Sequence, residues 1–455
     1  MKKIFTSLFC LLICANIFAQ TNSIRITNYH DLPTFDKGII CDKVDMTGEE
    51  SLSHLMVNPN QSTVSMKMST AINEEIIGTT TYDLQSNGSV MDRILMHNNG
   101  TISAAWTMSQ LFNTSYTDRG TGYNYYDGTA WGSQPTSRLE SSRCGWPSML
   151  ATSSGREMAI AHNTDNSYFQ MTFRSTIGSG VWEEQIVSSQ DSVTGLYRDL
   201  VWNRTAVGGA NGESLHMIGV TSPSGLTGTL YNGLDGALLY YRSQDEGATW
   251  DIQDMQLPTL DTSNFSGFGG DSYAIDARGN TVVIAYFNDM GGDSFILKST
   301  DNGTTWTRTT FLDFPRDNYV VDDGLDLDSN GVMDMIYSTD NYGAVILDHN
   351  NVAHVFYGVM RYLDDDLADG SYSWFPLTNG LVHWDENMGA DYTLPTVQDT
   401  DFWYSDMMNS NFISAAPDLN GDSIVAGIDS VGSTWAKYYS SLSSMPSAGI
   451  AANGD

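Results

Sequence analysis

Two stretches, SQDEGATW (243–250) and STDNGTTW (299–306), place Ser, Asp, Gly, Thr and Trp at positions one, three, five, seven and eight. That spacing closes a turn on itself. Asp245 and Asp301 accept amides of their own turn, and Ser243, Thr249, Ser299 and Thr305 add hydroxyls to the same network. Gly247 and Gly303 supply a positive φ that other residues resist. Trp250 and Trp306 then bury a large ring while keeping an indole N–H to donate. Four looser copies end at Trp131, Trp182, Trp374 and Trp435, so the six tryptophans recur every 51 to 68 residues.

A second repeat is independent of tryptophan. A short strand, a tight Gly/Asn turn and an apolar strand recur around Gly100, Gly155, Gly212, Gly279, Asn351 and Gly421, and each copy precedes one Trp turn. One unit therefore holds a hairpin, a third strand, a turn and a Trp-led fourth strand, which is the content of a propeller blade. Few Lys and Glu and many Gly, Ser, Thr, Asn, Asp and Tyr agree with strands and turns. The expected fold is all-β: a six-bladed β-propeller from residue 78 to 455, after an N-terminal segment at 20–77. Separate sandwiches would need Pro-rich or Ser/Gly-rich linkers, and none divides the chain. The final SAGIAANGD reads as the start of another hairpin turn, which leaves a seven-bladed or a truncated propeller as the alternative.

The chain begins MKKIFTSLFCLLICANIFAQ, two lysines followed by an apolar run and a small residue, which reads as a signal peptide over 1–19. Its removal takes Lys2 and Lys3 but no acid, moving the net charge from −33 to −35. So acidic a surface disfavours nucleic acid and anionic membrane surfaces, and no membrane insertion is expected after cleavage. The expected location is secreted or cell-surface. Cys41 and Cys144 then face an oxidising compartment, as a disulfide or as two separate buried thiols.

The two full turns resemble the Asp-box, or BNR repeat, of the sialidase superfamily. In that family the boxes join the third and fourth strands of propeller blades, away from the catalytic face, and they also occur in propellers that hydrolyse nothing. The resemblance implies a sialidase-like propeller; the activity it implies is weaker. In the family three arginines hold a sugar carboxylate, and cleavage uses an Asp acid/base and a Tyr nucleophile assisted by Glu. Arg93-Ile94 stands where the family has Arg-Ile-Pro, with Leu95 in place of Pro, and Asp118 falls in the loop that would carry the acid/base. A structural salt bridge is the competing reading of Arg93 and Asp118. Arg278, Arg316 and Arg361 stand in no family context, Glu386 is the late Glu, and Tyr438 and Tyr439 are candidate nucleophiles. The leader ending in FAQ and the acidic, Asn- and Gly-rich chain resemble secreted proteins of the Bacteroidetes.

DLDSNGVMD (326–334) puts side-chain oxygens at Asp326, Asp328, Asn330 and Asp334, with Gly331 at the sharp turn and the Val332 carbonyl at position seven. Those positions match a calcium loop without the flanking Glu of an EF-hand. Calcium is the one cofactor this pattern supports. DLNGDSIVAGID (418–429) is a weaker copy, and Asp364–Asp366 reads as an exposed acidic loop. His349 and His354 approach a zinc-like spacing, but they flank a hairpin turn without nearby Cys, so no zinc is expected there. Two functions follow as expectations: binding of an extracellular glycan or protein through loops on one face, or sialidase-like exo-glycosidase chemistry at Arg93 and Asp118.

Overall fold

The computed structural model describes residues 74–389 apart from 83, 86–91, 113, 114, 271, 328 and 335, together with 412–415 and 444–451. The signal peptide, Cys41, Asp328, Tyr438, Tyr439, the 418–429 loop and the turn at Trp435 lie outside the described residues. Among the described residues the regular structure is strand, with 3-10 turns such as Ser224–Leu226 and Glu386–Met388 and no α-helix. No helix there is long and apolar enough to cross a membrane.

The strands form five antiparallel sheets in simple meander order. The first holds β1 (Ile94–Met96), β2 (Ile102–Met108) and β3 (Gly120–Tyr126); an isolated bridge from Tyr126 to Trp131 stands beside its outer edge. The second holds β4 (Cys144–Ala151), β5 (Glu157–Asn163), β6 (Tyr168–Arg174) and β7 (Glu183–Ile186). The third holds β8 (Leu200–Gly208), β9 (Ser214–Thr221), β10 (Leu238–Ser243) and β11 (Ile252–Gln256). The fourth holds β12 (Tyr273–Arg278), β13 (Thr281–Tyr286), β14 (Ser294–Ser299) and β15 (Thr307–Leu312). The fifth holds β16 (Ile336–Leu347), β17 (Ala353–Leu363), β18 (Ser373–Asp385) and β19 (Phe412–Ala415).

First strands pack on first strands: β1 on β4, β4 on β8, β8 on β12 and β12 on β16. Neighbouring sheets are also stitched at their hairpins. Ser153 N–H donates to Gly212 O (3.2 Å), Gly209 N–H to Gly279 O (2.7 Å) and Leu347 N–H to Asp276 Oδ2 (2.7 Å). This is the arrangement of propeller blades around an axis. It explains why β5, β9 and β13 are buried along their whole length: a middle strand flanked by neighbours on both faces has no solvent side. Phe287, Phe311, Tyr357 and Trp384 fill the space between the fourth and fifth sheets, each such side chain contributing roughly 1.5–3 kcal/mol by leaving water.

All five hairpin turns of the second repeat that fall on described residues join first to second strands, as expected. The Trp turns at Trp131, Trp182, Trp250 and Trp306 follow third strands, also as expected. The fifth does not. Trp374 lies inside β18, the third strand, because β16, β17 and β18 are long, at 12, 11 and 13 residues, and pair along most of that length. The fourth strand is instead β19, whose Ala415, Ser414 and Phe412 pair with Gly380, Leu381 and Val382. The sequence stretch expected to open a sixth hairpin at 413–415 thus closes the fifth sheet.

Candidate functional site

The two full boxes form the network their residues imply. Ser299 Oγ–H donates to Asp301 Oδ1 (2.8 Å) and accepts from Gly303 N–H (2.9 Å), while Thr305 donates its N–H to Oδ1 (2.8 Å) and its hydroxyl to Oδ2 (2.7 Å). Ser243, Asp245, Gly247 and Thr249 repeat these bonds at 2.8, 2.8, 2.8 and 2.6 Å. The bonds from Thr305, Ser299 and Thr304 lower the Asp301 carboxyl to about 2. The second box also grips the preceding sheet: Trp306 meets Tyr240 edge-on at 5.0 Å, and Arg242 Nη1 donates to Asn302 O at 2.6 Å. With every Asp301 contact internal, the boxes are clasps.

The boxes and hairpins occupy one face of the ring, so the connections between second and third strands and between successive sheets occupy the other. Both residues expected from the sialidase resemblance belong to that second face. Arg93 immediately precedes β1, and its Nη2 donates to Gln85 O (2.8 Å). Asp118 sits in the β2–β3 loop, where Oδ1 accepts from Ser109 Oγ (2.6 Å) and Oδ2 from the amides of Gln110 (2.7 Å) and Leu111 (3.2 Å). Burial alone would raise the Asp118 carboxyl, but these donors prevail and hold it below its usual range. Of the other family candidates, Glu386 pairs with Lys298 at 2.5 Å and Arg316 with Asp323 at 3.1 Å, while Arg278 Nε donates to Leu347 O at 3.3 Å.

Two concavities stand out among the described residues. The larger, about 920 Å³, runs between the first strands and is lined by Asp92, Arg93, Met149, Asp276, Val345 and Ser447 among others. Asp92 was not singled out in the sequence, yet its carboxyl is pushed up to about 7, first by burial and then by Asp276, with Arg204 and Arg93 pulling it back. Its φ of 45° adds backbone strain of the kind found at functional positions.

The smaller cavity, about 710 Å³, lies between the fourth and fifth sheets on the face away from the boxes, lined by connections that include Phe268, Asn288, Asp289, Tyr319 and residues 340–342. A bulge in β16 between Thr339 and Gly343 brings Asp340, Asn341 and Tyr342 to that wall, with Asn341 at φ 67°; bulges of this kind re-aim side chains beside sites. Burial raises the Asp289 carboxyl against hydrogen bonds from the Met290 amide, Asn341 and Tyr372, whose hydroxyl donates at 3.0 Å. Asp235, Asp289 and Asp340 line this cleft, and no Lys or Arg does among the described residues. Aromatic walls, amides and carboxylates at this size suit a small polar ligand. No sequence motif points here, because the cleft is assembled from four separate connections and the bulge of β16.

The loop at 326–334 is knit by its own amides. Asp326 accepts the amides of Asn330 and Gly331, each at 3.0 Å, Asn330 Oδ1 that of Val332 at 2.7 Å, and Asp334 Oδ2 that of Leu327 at 2.6 Å. Asp334 is buried. Asp364 is not in an exposed loop: it is 3% exposed and accepts from the Tyr319 hydroxyl and the Asp322 amide. Cys144 is a buried thiol at the start of β4, pushed up by burial.

No family model matches the chain, and no curated protein matches it. Solved structures similar to it include a protein of unknown function from Dyadobacter fermentans, at 13% identity, covering 64% of this chain and 86% of that one with a TM-score of 0.36. A polysaccharide lyase described as an ulvan lyase is 10% identical over 66% of this chain and 70% of its own, with a TM-score of 0.39. The NanB sialidase of Streptococcus pneumoniae is 13% identical over 56% and 34%, with a TM-score of 0.32. None is similar enough to assign a role to a residue.

Proposed function

We propose that this is a secreted or cell-surface Asp-box β-propeller of six blades that binds an extracellular glycan in the cleft between the fourth and fifth sheets. The observation that carries this reading is the bulge of β16, which sets Asp340, Asn341 and Tyr342 beside Asp289 in one aromatic-walled cleft. Sugars present apolar ring faces and many hydroxyls, and such a cleft offers a Tyr ring for the first and carboxylate and amide acceptors for the second. With three acids and no cation among the described residues of its walls, it favours neutral or amino sugars over anionic ones. The sixth blade rests on the Trp435 repeat. The acidic loop is proposed to hold calcium through Asp326, Asp328, Asn330, Asp334 and the Val332 carbonyl; the Asp and Asn oxygens suit that hard cation.

The second reading, a sialidase-like exo-glycosidase, has support in the central cavity, where Arg93 lies beside a carboxyl that titrates near neutrality. Asp118 would have to leave three donors to serve as its acid. A glycan array followed by titration separates the two. The binding reading expects a neutral or amino glycan retained by the parent and by Asp118→Asn, and weakened at least about tenfold in Tyr342→Ala and Asp289→Asn, the loss of one ring contact or charge-assisted bond. Absence of any bound glycan, or binding indifferent to both cleft variants, would sink it. Turnover of a fluorogenic sialoside abolished by Asp118→Asn would establish the alternative instead.

A further inference from the structure

His354, which has no zinc partner at sequence spacing, acquires one in three dimensions. It is not His349, which is exposed and lies near Arg278 and the Ala451 carbonyl. It is His383, from the neighbouring strand. In the β17–β18 ladder His354 pairs with Asp385, and Phe356 pairs with His383. Strand alternation therefore turns His354, His383 and Asp385 to one face of the fifth sheet, while Ala353, Val355, Val382 and Trp384 fill the opposite, buried face.

We propose that His354, His383 and Asp385 form a binding site for a zinc-like divalent transition-metal ion, distinct from the acidic loop and from the cleft. One donor atom from each of the three residues lies within 4.8 Å of the others. Two imidazole nitrogens and a carboxylate oxygen are the donor set of open zinc sites, with a fourth position left to water or a ligand. His354 Nδ1 is 3.0 Å from His383 Nε2. An ion about 2.05 Å from both would see them at about 94°, so a few tenths of an ångström of ring movement reaches the tetrahedral angle.

The surroundings fit ligands held ready. Asp348 Oδ2 is 3.9 Å from His354 Nε2, placing a carboxylate behind the nitrogen that does not face His383; that is the partner a metal-bound histidine usually has. Asp348 is itself fixed by the amides of Asn350 (2.8 Å) and Val352 (2.7 Å). Phe356 stacks on the His383 ring at 4.8 Å. Asp385 commits Oδ1 to the Asn387 amide (2.7 Å), which sets the carboxylate's orientation and leaves its second oxygen for a cation. Glu386, the neighbouring acid, is taken by Lys298 and the Ala353 amide and belongs to a different network.

The two rings lie nearly in one plane, 9° apart with centroids 5.3 Å apart, so without an ion they share one proton in an N–H···N bond. With His354 Nε2–H directed at Asp348, that proton sits on His383 Nε2. Metal entry requires it to move to His383 Nδ1, after which both facing nitrogens offer lone pairs. No oxidant or further reactant is needed.

The test is zinc titration of the full mature chain by calorimetry after chelation, with calcium in excess so that the acidic loop does not compete. One zinc per chain is expected, weakened roughly hundredfold or more in His354→Ala and in His383→Ala and about tenfold in Asp348→Asn. Cobalt loaded into the parent should show tetrahedral visible absorption and couple to two imidazole nitrogens. Failure to bind zinc, or binding that survives both histidine substitutions, overturns the proposal. If those variants do not fold, the cobalt complex of the parent decides: fewer than two imidazole nitrogens overturns it as well.

Discussion

The clasp model makes unequal demands on two glycines that look identical in sequence. Gly247 and Gly303 both hold left-handed backbone, at φ 83° and 79°, so alanine at either costs about 1–2 kcal/mol in conformation alone. Their surroundings differ. A Cβ at Gly247 meets the ends of Leu215 and Met171 at 3.0 Å, flexible groups that can yield, whereas a Cβ at Gly303 meets the Tyr240 hydroxyl at 1.9 Å. Tyr240 is buried and its hydroxyl lies 2.7 Å from His216 Nδ1, so it cannot swing aside. Overpacking adds about 1–3 kcal/mol. For a unit spanning 78–455, an unfolding entropy of about 2.1 cal/mol/K per residue makes each kcal/mol worth roughly 1.3 °C. Calorimetry should therefore show Gly247→Ala lowering Tm by roughly 1–3 °C and Gly303→Ala by roughly 3–6 °C. Tyr240→Phe should narrow the gap, removing the 1.9 Å contact while the ring carbon at 2.8 Å remains. Equal losses for the two alanine variants, or a gap unmoved by Tyr240→Phe, would refute the inter-sheet clasp.

Asp301 is depressed to about 2 when folded, below an unfolded value of about 3.9, so its contribution is complete above the unfolded value and disappears as pH falls from about 4 toward 2. Asp301→Asn should flatten the parent's acid limb in that window, measured by thermal melts from pH 5 to 2, and an unchanged limb would remove Asp301 from the linkage. Asp92, raised to about 7, carries the opposite sign: the folded state holds its proton more tightly, so stability falls as pH rises from about 4 to 7. Asp92→Asn should erase that fall, which urea melts at pH 5 and pH 8 would check. Calcium at about 100 times its Kd should stabilise by about 2.7 kcal/mol, roughly 3 °C in Tm. Chelation without effect on Tm, together with undiminished calcium binding in Asp328→Ala, would end the calcium proposal.

What the sequence disclosed followed chemical locality. A clasp is built within eight consecutive residues, so its Ser, Asp, Gly and Thr are readable in order, and hairpin turns around Gly155 or Gly279 are equally local. Trp374 has the spacing of its counterparts, but pairing length along β17 and β18 sets the strand boundaries of the fifth sheet. His354 and His383 are 29 residues apart, and only the register of two strands brings them together. The cleft around Asp289 depends likewise on a bulge, which no local pattern announces. Asp92 stands beside Arg93 in plain view, but its raised proton affinity comes first from burial and then from Asp276, contributed by another blade.

Clasps on one rim and open connections on the other have an evolutionary corollary. Hairpin and box residues that bond a neighbouring sheet, such as Ser153 to Gly212 and Arg242 to Asn302, constrain that rim. The opposite connections after β11 and β15 are long, and alongside buried anchors such as Phe268 and Tyr319 they present exposed positions such as Val320 and Val332. Substitution and insertion can accumulate at such exposed positions while the sheets stay packed, so one such scaffold can be fitted to many ligands with its architecture left alone.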